Sequence, residues 1–145
     1  LETAKLIRKI APTKTIVAGS LSLSPHDYLR EMFDYGIFDY ADAISFHPYW
    51  LDADGSVAQI AAVRQLARER GFTGELWVTE VGYPTGGLYP TSTDLNGQAD
   101  RVVKVLTGAA VQGSARGVLV CDAGLPTQGQ LRRTLELRTL LRARV

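Results

Sequence analysis

The sequence predicts an α/β protein with parallel strands, on three observations. Short β-branched apolar runs alternate with longer amphipathic segments, four times in 145 residues. The runs are continuously apolar, the pattern of strands buried on both faces. The polar and aromatic residues able to carry chemistry follow the runs instead of preceding them.

The elements can be justified in chain order. Leu1 already sits in a helical pattern, with no initiator Met, which suggests a piece of a longer polypeptide. "TIVAGS" (15–20) is the first strand. Ser24 supplies an N-cap and Pro25 a first-turn proline for a helix carrying Leu29, Met32 and Phe33, which Gly36 ends. "DAISFHPYW" (42–50) is the second strand. Asp54 or Ser56 then caps a helix with Val57, Ile60, Ala61, Val63 and Ala67 that stops at Gly71. "ELWVTE" (75–80) is the third strand, followed by a loop rich in Gly, Pro and Thr. A helix with Ala99, Val102, Val103, Leu106 and Ala110 runs on to Gly113. "GVLVCD" (117–122) is the fourth strand, and "QLRRTLELRTLLRARV" closes the chain as a leucine–arginine helix.

Composition narrows the function classes. Residues 1–145 hold enough chain for one domain with one core, and 46% hydrophobic with 21% charged residues argues against disorder. A net charge of +1 gives no electrostatic case for nucleic acid or an anionic membrane surface. No apolar run approaches the roughly 20 residues of a membrane span, and no signal peptide is visible. Cys121 is the only cysteine, so neither an intrachain disulfide nor a cysteine-based zinc site can form. Two histidines far apart, His26 and His47, argue against a metal site. No cofactor is implied, and secreted and cytoplasmic locations both fit.

Strand–helix alternation implies right-handed crossovers. Four such units fit half of a (β/α)8 barrel, strands five to eight, or an open doubly wound sheet. A whole barrel needs about 250 residues. In both architectures functional groups gather at the C-terminal strand ends. Here those ends read "GSLS", "HPYW", "EVGY" and "CDAG".

Two of these ends stand out. Glu80 terminates a run, Leu76 to Val78, that belongs in a buried sheet, and a charge there is costly to desolvate. His47 occupies the matching position on the preceding strand, and Tyr49, Trp50, Tyr83 and Tyr89 lie in the same two loops. A carboxylate amid aromatic rings suits sugar chemistry. Rings stack on the C–H face of a pyranose while the carboxylate attacks, or stabilises, a cationic anomeric centre. Each residue also has a packing explanation: a loop-bonded carboxylate, a buried histidine, core aromatics.

"WVTEVGYPT" resembles the seventh-strand motif of the clan A glycoside hydrolases, the retaining (β/α)8 glycosidases of the cellulase and β-xylosidase type. "ADAISFHPYW" resembles their sixth strand, and "NGQADRVVKVL" the helix after strand seven. The ordered match spans Thr15 to Gly117. The resemblance implies that Glu80 is the nucleophile, that Tyr49 hydrogen-bonds it, and that His47 helps line the subsite where the bond breaks. With His47, the aromatic residues Tyr49, Trp50 and Tyr83 are the expected substrate-binding residues. It also implies a general acid, a Glu preceded by Asn after strand four, and this chain contains no Asn-Glu pair. The fourth strand likewise lacks the tryptophan the family places there.

Three expectations follow. The full-length protein is a retaining glycosidase of a β-linked glycan, with this chain contributing the nucleophile half. Its partners are the carbohydrate and either a missing N-terminal half-barrel or a second copy, since cut strand edges near Ile16 and Leu119 invite pairing. The alternative is a non-catalytic glycan-binding or scaffolding domain. A flavodoxin-like module is disfavoured, because "GSLSLSP" is a weak phosphate loop.

Overall fold

The structure, a computed structural model, describes residues 1–22, 26–86 and 89–117. Helix α1 spans Glu2–Ile10, followed by strand β1 (Val17–Ser22), helix α2 (His26–Asp34), a 3-10 turn (Ile37–Asp39) and strand β2 (Ala43–His47). Helix α3 (Ala53–Glu69), strand β3 (Glu75–Val78), helix α4 (Leu95–Val111) and strand β4 (Ser114–Gly117) complete the described chain. The sheet is parallel throughout, in the order β1-β2-β3-β4. The class is therefore α/β with a small open parallel sheet.

Each crossover returns to the adjacent strand, so the order never reverses among the described strands. Helix α2 touches α3, and α3 touches α4, which makes one helical layer. Alternation along the strands sends Ile44, Phe46, Leu76 and Val78 towards that layer. There they pack with Leu29 and Met32 of α2, Ile60, Val63 and Leu66 of α3, and Val102, Val105 and Ala109 of α4. The other face receives Ala43, Ser45, His47, Trp77 and Thr79. It is the more polar face, tied across the strands by a 2.5 Å hydrogen bond between the hydroxyls of Ser45 and Thr79.

Element boundaries differ from the sequence expectation for local reasons. Strand β1 starts two residues after Thr15, because the Ile16 N–H is taken by the Asp42 carboxylate at 2.7 Å. It contains a bulge at Gly19 and Ser20, with φ of 122° and 60°. A Cβ at Gly19 would lie 2.3 Å from the Ser45 carbonyl oxygen, so both conformation and space demand glycine there. Strand β2 ends at His47, since Pro48 has no N–H to continue the ladder. Helix α3 is capped by Asp52, which accepts from Gly55 N–H at 2.7 Å, and by neither Asp54 nor Ser56. Strand β4 begins three residues before the expected Gly117. The expected Ser24 cap, Pro25, the rest of the fourth strand with Leu119, Cys121 and Asp122, and the closing helix lie outside the described residues.

Arg8 anchors α1 beneath the sheet. Its guanidinium donates to the carbonyls of Pro12, Lys14 and Tyr40 and, at 2.6 Å, to Asp42 Oδ2. The Arg8 hydrogen bond, reinforced by the Ile16 N–H, holds the Asp42 carboxyl below its ordinary range. A carboxyl depressed in the folded state stabilises above its unfolded pKa and loses that contribution as pH falls through the folded value. Because the pair is half exposed, solvent screens it. Asp42→Asn should therefore cost about 1 kcal/mol at pH 7. Urea unfolding should show that gap closing below about pH 4.

Candidate functional site

The site forms where β2 and β3 end together. Their pairing runs Ala43 to Glu75, Ile44 to Leu76, Ser45 to Trp77 and Phe46 to Val78, extended by a 3.2 Å bond from Thr79 N–H to the Phe46 carbonyl. Both chains leave the ladder within one residue of each other, so His47 and Glu80 emerge side by side. His47 Nδ1 lies 3.8 Å from Glu80 Oε2, and the Tyr49 hydroxyl donates to Glu80 Oε1. The two carboxylate oxygens thus face different neighbours. The Glu80 side chain is 37% exposed and that of His47 18%, so both are reachable from solvent.

The loops that carry these groups are tied from below. Past Pro48 the chain turns, with Tyr49 N–H bonded to the His47 carbonyl at 2.8 Å. Gln59 of α3 donates to the Tyr49 carbonyl at 3.1 Å. Trp50, 43% exposed, leans on the first turn of α3, where a Cβ at Gly55 would fall 1.7 Å from its ring. The loop after β3 is held by α4. Gln98 donates to the Tyr83 carbonyl at 2.6 Å, Arg101 to the Thr91 carbonyl at 2.9 Å, and the Arg101 guanidinium stacks over the Tyr83 ring.

The predicted site residues separate into two groups. Glu80, His47 and Tyr49 come together, and Trp50 keeps an exposed ring beside them in sequence. Tyr83 differs from the expectation of a substrate contact. It is 1% exposed, with its hydroxyl 2.8 Å from Ser56 Oγ, and a ring buried under its loop offers no face to a sugar. Tyr89 is exposed and has no place in the hydrogen bonds around Glu80. The other carboxylates near these loops are engaged. Asp52 caps α3, Asp54 pairs with Lys104 at 2.6 Å, and Glu75 accepts from the Trp77 indole at 2.6 Å at the far end of β3.

Sequence reading missed Ser56, Gln59 and Arg101 as supports of these loops. The available signal was two polar residues, Ser56 and Gln59, on the apolar stripe of α3. Among the described residues no group of three His, Cys, Asp or Glu side chains gathers to hold a metal, and no helix is long and apolar enough to cross a membrane. A cavity of about 320 Å³ opens at the other end of the sheet, lined by Phe33, Phe38, Phe72 and Arg70. It is remote from Glu80 along the strands.

No family model matches the chain, and no curated protein matches it. Among solved structures it is similar to that of N2152 from Neocallimastix frontalis, with a TM-score of 0.63 at 18% identity. The match covers 90% of this chain and 31% of that one, so this chain spans about a third of its neighbour's length. At that identity the likeness concerns the fold alone.

Burial raises the Tyr83 phenol above its ordinary pKa, against smaller lowering effects from Ser56 and Arg101. An acid raised in the folded state stabilises below its unfolded pKa and loses that contribution as pH rises through the folded value. Tyr83→Phe should cost about 1 kcal/mol at pH 7, because Ser56 loses a buried partner. The difference from the unmodified protein should narrow above about pH 10 in denaturant titrations.

Proposed function

We propose that this chain is the nucleophile half of a retaining glycoside hydrolase, strands five to eight of a (β/α)8 barrel. The observation that carries the reading is the Glu80 carboxylate at the C-terminal end of β3, bonded by the Tyr49 hydroxyl with His47 beside it. The strand order supports the architecture. A sheet that adds each strand to the same edge beneath one helical layer curls towards closure, whereas a doubly wound sheet reverses at a switch point.

The chemistry follows from the arrangement. Tyr49 fixes the carboxylate rotamer through Oε1 and leaves Oε2 to attack the anomeric carbon. The bond from that carbon to the leaving oxygen breaks, and the leaving oxygen takes a proton from a second carboxyl group. Water then hydrolyses the glycosyl ester and regenerates Glu80. That second carboxyl must stand about 5–5.5 Å from the first. Among the described residues Asp52, Asp54 and Glu75 are engaged elsewhere, and Asp122 lies outside the described residues. In this reading the acid comes from strand four of the full barrel, as the resemblance implies. The same strand would pair with β1, whose Val17 is exposed at the sheet edge. The exposed face of Trp50 would stack on the glycan.

The test exploits leaving-group chemistry. A dinitrophenyl group departs without protonation, so an activated 2-deoxy-2-fluoro-β-glycoside needs only the nucleophile. The fluorine destabilises the cationic transition state of both steps, and the ester accumulates. With a panel of such β-glycosides, mass spectrometry should find the adduct on the Glu80 peptide. In the polypeptide carrying this chain, Glu80→Gln should reduce hydrolysis to background. An adduct on another residue, or undiminished turnover in Glu80→Gln, would overturn the reading. Glycan binding by tryptophan fluorescence, with no adduct and no turnover in the unmodified protein, would favour the non-catalytic glycan-binding domain.

A further inference from the structure

Helix α3 buries Ala53, Ser56, Gln59, Ile60, Val63, Leu66 and Ala67. Five of these are apolar, as a helix packed on a sheet requires. The two polar members sit one turn apart near its N-terminus, and each serves one of the loops beside Glu80. Ser56 meets the Tyr83 hydroxyl in the loop after β3. Gln59 donates Nε2 to the Tyr49 carbonyl in the loop after β2.

Gln59 is the more informative of the pair. It is 6% exposed, and its Oε1 has no hydrogen-bond partner among the described residues. Burying an amide with half its capacity unused is unfavourable. The amide cannot turn to relieve this, because the Tyr49 carbonyl only accepts, and Nε2 must face it. Methionine at this position would fill similar space without the orphan oxygen. A purely structural role does not explain a glutamine here; holding Tyr49 does. The Tyr49 carbonyl lies beyond the end of β2, after Pro48, and its ring hydroxyl reaches Glu80.

We infer that Gln59 is a positioning residue, which sets the Tyr49 hydroxyl on Glu80 through the backbone of the loop after β2. The inference rests on the glycosidase reading only where turnover is concerned. The position of Tyr49 can be measured without substrate.

The first readout is the ring resonances of 13C-labelled tyrosine, assigned to Tyr49 with Tyr49→Phe. Gln59→Met relieves the unbonded Oε1 but takes the donor from the Tyr49 carbonyl, so it should stay folded with Tm little changed, yet shift or broaden the Tyr49 signals. In the complete protein it should lower kcat about 10- to 100-fold with KM little changed, the signature of a displaced catalytic group. Gln59→Glu supplies a pH signature. Its protonated carboxyl donates to the Tyr49 carbonyl and its ionised form repels it, so the native Tyr49 signals and activity should return as pH falls. Unchanged Tyr49 signals in Gln59→Met would overturn the inference. Should that variant fail to fold, a Tyr49 environment in Gln59→Glu that ignores pH would overturn it equally. Failure of the glycosidase reading would appear separately, as hydrolysis that survives Glu80→Gln while the Tyr49 signals still depend on Gln59.

Discussion

The parallel pairing of β2 with β3 is the constraint on which the remaining structure depends. Its register sends Ile44, Phe46, Leu76 and Val78 to the helical layer together, and a slip of one residue would reverse all four. The same register makes the two strands end level, so His47 and Glu80 leave the sheet at the same height. Neither group is placed by its own loop. His47 is the last residue of β2 and Glu80 follows β3 by two residues, so the backbone of each has little freedom to wander.

Polar groups near this edge are handled in two ways. Those on the solvent side stay accessible: Glu80 and His47 keep part of their surface and share one small cluster with Tyr49. Those beneath the loops are desolvated, and most are bonded, as with Ser56 to Tyr83 and Gln98 to the Tyr83 carbonyl. The buried loop undersides are needed because the strands stop early. Strand β3 has only four residues, so the chain beyond it must find hydrogen bonds from helices instead of from strand neighbours. At the other end of the sheet, Arg8 does comparable work through one guanidinium that gathers three carbonyls and Asp42.

Most described elements were legible because their signals are local. Apolar runs bounded by Gly and Pro gave β1 to β3, and the 3.6-residue periodicity gave α2, α3 and α4. The errors came from local ambiguity at one cap and from distant partners elsewhere. Asp54 and Ser56 each had the right chemistry for a cap, but Asp52 alone precedes the first helical turn. The start of β1 was misplaced because a distant carboxylate, Asp42, takes the Ile16 N–H. Tyr83, in a loop of Gly, Pro and Thr, fitted a sugar platform as well as a packed ring, and Ser56, 27 residues earlier, binds its hydroxyl in the packed position.

The sequence by itself determined the α/β class, the parallel sheet and the direction in which Glu80, His47 and Tyr49 emerge. Those follow from hydrophobic period and from where each run stops, which the chain states residue by residue. Only the tertiary structure decided which aromatic rings stay exposed, which carboxylates are already engaged, and that α3 supports both loops. These depend on pairs far apart in sequence, such as Gln59 with Tyr49 across the loop and Arg101 over Tyr83. A polar side chain on an apolar stripe acquires its role from what lies opposite, and packing alone brings that neighbour into reach.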